Sequence, residues 1–179
     1  MDAYSIAKTL VMKKLLFVSL LLVALASAIS AQDRKPLVAT RPFIVKTQQQ
    51  MSDIQSALEK KSGNTAEDIV PLAGNQMRVA VFHDEKRVDD NVELHDTSDD
   101  IYYVLNGTAT LMLGGTLDSP KEVSPGEWRA KSATGGQKVV IQKGDLIVVP
   151  RGTPHQRTVT DKRFSMILVK VYATEQPAK

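Results

Sequence analysis

The chain has 179 residues, 23 lysines and arginines against 20 aspartates and glutamates, and no cysteine, which leaves room for one domain plus a targeting segment. Without cysteine there is no disulfide framework, no thiolate chemistry and no lipid attachment at a processing site. The basic excess sits largely in residues 1–31, which hold Lys8, Lys13 and Lys14 against Asp2; the remainder is net +1 and lacks the basic patch with interleaved aromatics that nucleic acid binding calls for.

Lys13 and Lys14 precede an apolar run over residues 15–26, which ends in the small-residue steps Ala26-Ser27-Ala28 and Ile29-Ser30-Ala31. That is the order of a secretory signal, with Met12 as its start. The run is shorter than the roughly 20 apolar residues of a membrane anchor. Residues 1–31 are therefore read as a cleaved leader, and the protein as periplasmic or secreted with no stable membrane anchor. Residues 32–76 read as an N-terminal arm with one short helix. Pro36 and Pro42 frame short apolar pieces, residues 43–46 suit an edge strand, and residues 52–61 read as a surface helix with Ile54 and Leu58 one turn apart and Gly63 as its stop.

From Ile69 the pattern turns β. Residues 77–83, 102–105, 108–113, 138–142, 146–149, 156–160 and 164–172 are short and rich in Val, Ile, Leu, Thr and Tyr, with Gly, Pro, Asp or Asn between them. Many short strands with frequent turns mean a barrel or sandwich, placed over residues 77–174 with a tail at 175–179. Residues 115–137, with Pro120, Pro125, Gly126, Gly135 and Gly136, are long for a hairpin connection and read as a functional or disordered loop.

Within this β region, Gly144 and Asp145 mark a turn, residues 146–149 a strand too apolar to be solvated, and residues 150–154 a second reversal that delivers His155 to the next strand. The spacing is Gly144, five residues, Pro150, one residue, Gly152, two residues, His155. Upstream, Glu93, one residue, His95, four residues, Asp100, six residues and Gly107 make a second spaced set. Together the two sets resemble the paired signatures of the cupin superfamily, in its small single-domain form, over about residues 79–172. Glu93 stands where the family has His, Asp100 where it has Glu, and Val159 where the second signature ends in Asn.

The resemblance implies an all-β, cupin-type β-barrel, a double-stranded β-helix or jelly roll, with the arm and the helix in front of it. It implies one divalent transition metal, Fe, Mn, Zn or Ni, held by His95, His155, Glu93 and Asp100, and it implies a homodimer. Strand alternation supports the grouping, since Glu93 shares a face with His95, Asp100 with Tyr102, and His155 with Arg157. Arg157 and Tyr102 are the candidate substrate contacts, Arg157 for an anionic group. An inward Arg157 equally suits a structural pair with Glu93 or Asp100. His83 reads as a solvated strand end, and Trp128 as either a cap on the barrel mouth or an anchor on its outside.

No Gly-x-Ser-x-Gly elbow, P-loop or Gly-x-Gly-x-x-Gly motif is present. The expected function is that of a metal-dependent enzyme acting on a small, anionic organic molecule, of oxygenase or isomerase type. Iron(II) would take substrate and O₂ together, and zinc or manganese would polarise a carbonyl. The alternative is a binding or sensing protein whose metal is structural or absent. The leader reading predicts a mature chain beginning at Gln32, with Ile29 as the second choice. Intact mass of the exported protein checks this, and a chain that keeps residues 12–31 would sink it.

Overall fold

A computed structural model describes residues 35–160 and 163–177, so the expected leader lies outside the described residues. The helix, α1 (Gln48–Glu59), starts earlier than its apolar spacing alone suggests. Thr47 and Gln50 form a capping box, each side chain bonding the other's backbone N–H, and this sets the first turn. Residues 43–46 form no strand.

Among the described residues thirteen strands follow: β1 (Thr65–Val70), β2 (Met77–Asp84), β3 (Val92–His95), β4 (Ser98–Asn106), β5 (Thr108–Leu113), β6 (Thr116–Leu117), β7 (Lys121–Ser124), β8 (Glu127–Ala130), β9 (Ala133–Thr134), β10 (Gln137–Gln142), β11 (Leu146–Val149), β12 (His155–Thr158) and β13 (Phe164–Tyr172). One sheet runs β1-β2-β13-β4-β11, the other β10-β5-β12-β3-β8-β7, and β6 pairs with β9 apart from both. The strands of the two larger sheets pair antiparallel. The two share one core, in which Tyr102, Val104, Phe164, Met166 and Leu168 from the first sheet meet Ala109, Leu111 and Ile141 from the second. This is the cupin-type β-barrel that the paired signatures imply. Helix α1 covers the outer face of the first sheet, with Ile54 and Leu58 against Val81.

The stretch 115–137, read as a loop, is instead β6 to β9, and its β8 pairs with β3 along its whole length. Residues 146–149 form the expected strand, but Leu146 is 65 % and Val148 58 % exposed. Because β11 is the last strand of its sheet, only its inner face, Ile147 and Val149, is covered. His83 is buried rather than solvated, its Nδ1 3.1 Å from Ser165 Oγ across the β2–β13 ladder.

The register grades the inner face of the first sheet. Arg78, Lys170 and Asp100 form one row, Ala80, Leu168 and Tyr102 the next, and Phe82, Met166 and Val104 the next, so charge at one end gives way to an apolar floor. Between β4 and β5 the chain passes from one sheet to the other at Gly107, whose φ of +78° an L side chain rarely adopts; a Cβ there would overlap the Arg163 carbonyl oxygen. Gly107→Ala is expected to cost about 2–4 kcal/mol, from the left-handed backbone and the overlap together. Urea denaturation measures it, and a loss below about 1 kcal/mol would contradict the fixed turn.

Candidate metal centre

Three strands of the second sheet build the centre. His155 opens β12 and lies opposite Glu93 of β3, and His95 ends β3 opposite Glu127 of β8. The turn before His155 is pinned to the same strand, since Gly152 donates its N–H to the His95 carbonyl at 2.8 Å. Asp100 approaches from β4 of the facing sheet. Glu93, His95 and His155 each offer a ligand atom, all within 4.8 Å of one another. Asp100 Oδ2 lies 3.6 Å from His95 Nε2 and 3.8 Å from His155 Nε2; Glu93 Oε2 lies 3.8 and 4.0 Å from the same nitrogens.

The outward nitrogens of both rings are spoken for. His155 Nδ1 lies 2.9 Å from the Thr153 carbonyl oxygen, which can only accept, so Nδ1 carries the proton and the neutral ring turns a bare lone pair at Nε2 toward the cluster. His95 Nδ1 lies 2.7 Å from Glu127 Oε2, and the same logic exposes its Nε2. Both rings are 4 % exposed, and both Nε2 atoms are buried with no hydrogen-bond partner among the described residues. A buried polar atom left unpaired costs about 1–3 kcal/mol. Two such lone pairs beside two carboxylates fit a divalent first-row cation, which would satisfy all of them at once.

Electrostatics separate the two histidines. Burial pushes His155 below its ordinary value, and the nearby His95 adds to this, so it is neutral near pH 7. At His95 burial acts in the same direction, but the nearby carboxylates of Asp100 and Glu127 outweigh it and its pKa is raised above 6.5. Burial would raise Asp100 and Glu127, yet His95 and Lys170 hold both below the usual carboxylate range. Tyr102, driven well above 10 by burial and by Asp100, keeps its proton and donates to Asp100 Oδ2 at 3.1 Å.

A cavity of about 730 Å³ opens beside the cluster and runs over Phe82, Met166 and Leu168. Tyr102 and Arg157 both line it. Arg157 is buried, and the carboxylate it pairs with is Asp84, at 2.8 Å from its Nε, in place of the expected Glu93 or Asp100. Trp128 points to the outside of the barrel, where Nε1 donates to Asp96 Oδ2 at 2.6 Å beside Leu94 and Pro154. Its neighbours Glu127 and Arg129 face the cavity instead.

Sequence reading missed Glu127, Arg129, Lys170 and Asp84. Lys170 was recoverable, because Phe164, Met166, Leu168 and Lys170 alternate along one face of β13. Glu127 had no comparable signal, since β8 is four residues long and carries no apolar alternation.

No family model matches the chain, and no curated protein does. Among solved structures, the chain is similar to KdgF from Halomonas sp. at 15 % identity, covering 64 % of this chain and 85 % of that one with a TM-score of 0.45. It is similar to a cupin superfamily protein from Desulfitobacterium hafniense at 18 % identity, over 77 % of this chain and 96 % of that one, with a TM-score of 0.43. A protein from Bacillus halodurans gives 14 % identity, 79 % and 89 % coverage, and a TM-score of 0.49.

Glu127→Gln removes the carboxylate that orients His95, and a loss of about 10- to 100-fold in zinc affinity is expected. Because His95 must shed a proton to ligate, affinity in the native protein should rise as pH climbs through the region above 6.5. Competition titrations against a chelator at several pH values check both. An unaltered affinity in the variant, or a flat pH profile, would remove Glu127 from the centre.

Proposed function

We propose that this protein is an exported metal-dependent enzyme, of oxygenase or isomerase type, acting as a homodimer on a small organic molecule inside the barrel. The observation that carries this reading is the pair of unpartnered, buried Nε2 atoms beside Glu93, a cluster whose His95, Glu93 and Asp100 line the cavity. Three protein donors leave coordination positions for a substrate, whereas a structural site closes its shell with protein ligands. A bound divalent ion supplies Lewis acidity at a carbonyl or, as iron(II), brings substrate and O₂ together.

The chain's own residues do the rest. Glu93, His95 and His155 would hold the ion, with Asp100 beside them. Glu127 and the Thr153 carbonyl fix which nitrogen of each ring faces inward. Lys170, 3.3 Å from Asp100 Oδ1, keeps that carboxylate ionised among other negative groups. Phe82, Met166 and Leu168 exclude water from the side of the cavity opposite the second sheet. Export is supported by the basic, apolar, small-residue order of residues 13–31. The homodimer is supported by the exposed apolar residues Val140, Leu146 and Val148 on β10 and β11, the last strands of their sheets.

The purified protein is expected to carry about one first-row divalent ion per chain, with His95→Ala or His155→Ala removing most of it and Glu93→Gln, which keeps a neutral oxygen, weakening it less. Elemental analysis with circular dichroism on each variant tests this. Full occupancy in both folded histidine variants would defeat the assignment. Water relaxation measured on the manganese form distinguishes an enzyme, which keeps exchangeable water on the ion, from a closed structural site.

A further inference from the structure

The cavity has a second functional end, away from the histidines. Arg157 projects from β12 on the face of His155, and its guanidinium carbon lies 5.9 Å from the centre of the Phe82 ring, 6.0 Å from Tyr102 and 5.8 Å from Phe164. Its Nε is tied to Asp84 at 2.8 Å, and Asp84 is 1 % exposed. The side chain is 8 % exposed, lines the cavity, and has no protein partner for its two terminal nitrogens among the described residues. Three rings and one carboxylate therefore hold a guanidinium whose remaining edge is free. A planar edge of two N–H donors matches one carboxylate bidentately.

The surrounding charge selects among anions. The cavity wall carries five cationic side chains and four carboxylates, and Asp84 and Asp90 pair with two of those cations from behind the wall. With the histidines neutral, the surroundings are net −1, and a divalent ion makes them net +1. A single negative charge restores neutrality, whereas a phosphate dianion would overshoot among Glu93, Asp100 and Glu127. Between the two ends the floor is Leu168, Met166 and Phe82, which suits an aliphatic or aromatic body. Arg157 stands two residues beyond His155 on its strand, roughly 6.5 Å at the ordinary rise, so a molecule of a few carbons spans the two.

We propose that the substrate is a small monocarboxylate with an apolar body, its carboxylate held on the free edge of Arg157 and its other end at the metal centre. This rests on the metal-dependent reading for the position of the reacting end, and on Arg157 alone for the carboxylate.

Calorimetric titration of the purified chain, zinc-loaded and metal-free, with hexanoate, hexanamide and inorganic phosphate tests it. Hexanoate is expected to bind in both forms, with hexanamide and phosphate each at least tenfold weaker. Arg157→Lys, which keeps a charge on Asp84, should weaken hexanoate about tenfold while zinc affinity stays unchanged. If that variant folds poorly, Arg157→Gln combined with Asp84→Asn leaves no buried charge unpaired and should abolish hexanoate binding. Absence of hexanoate binding, tighter phosphate binding, or native affinity in a folded Arg157 variant would overturn the proposal. A protein that takes no zinc yet binds hexanoate through Arg157 would defeat the metal reading and leave the carboxylate site standing.

Discussion

Burying His95 and His155 with their Nε2 atoms unpaired is unfavourable for the barrel, and the surrounding strands are arranged so that neither ring can relieve it by turning. Each Nδ1 is already committed, one to a backbone carbonyl and the other to Glu127. Flipping either ring would break a hydrogen bond and bury the other nitrogen in its place. The strain is thus local and fixed, and a cation is the species that removes it from both rings together. The β3–β8 pairing that brings Glu127 to His95, and the Gly152 contact that anchors the turn before His155, follow from the same requirement.

The same register that gathers the ligands also divides the interior. Because side chains alternate, β13 presents Phe164, Met166, Leu168 and Lys170 to one side, and β4 presents Ser98, Asp100, Tyr102 and Val104 to it. Cross-strand pairing turns these alternations into rows, so Lys170 meets Asp100 while Leu168 meets Tyr102. Within these rows of the first sheet the charged side chains fall at the end where the second sheet contributes its histidines. The apolar rows beyond it pack as core and form the floor of the cavity.

Much of this was legible in the residue order. The resemblance of the two spaced sets to the cupin signatures implied that His95, His155, Glu93 and Asp100 gather at one point, and alternation indicated which side chains share a face. The strands at 108–113, 146–149 and 164–172 were legible for the same reason, since their branched and aromatic runs are bounded by turn residues. What the sequence did not disclose depended on pairing between distant segments. The role of Glu127 exists only because β8 lies beside β3, and the link from Arg157 to Asp84 exists only because two sheets face each other. Exposure was misread in both directions for that reason as well: His83 is covered by its neighbours across the ladder, and Leu146 lies on a strand with no neighbour beyond it.

Two of the three departures from the spacing that resembles the cupin signatures fall in the ligand cluster. Glu93 in place of a histidine adds a negative charge to the ligand cluster, and Asp100 in place of a glutamate retracts the other carboxylate by one methylene. That retraction leaves Asp100 Oδ2 within reach of both imidazoles while Oδ1 lies 3.3 Å from Lys170, and Tyr102 donates to Oδ2 from below. Lys170 in turn lies 4.0 Å from Glu127, so one buried cation is shared by Asp100 and Glu127, while Arg87 and Arg129 lie 3.8 and 3.6 Å from Glu93 Oε1 and offset the added carboxylate. With Oε1 of Glu93 turned to the two arginines, the cluster offers two imidazole Nε2 atoms and Glu93 Oε2 as donors, a set that suits a divalent ion while leaving part of its coordination sphere to a substrate.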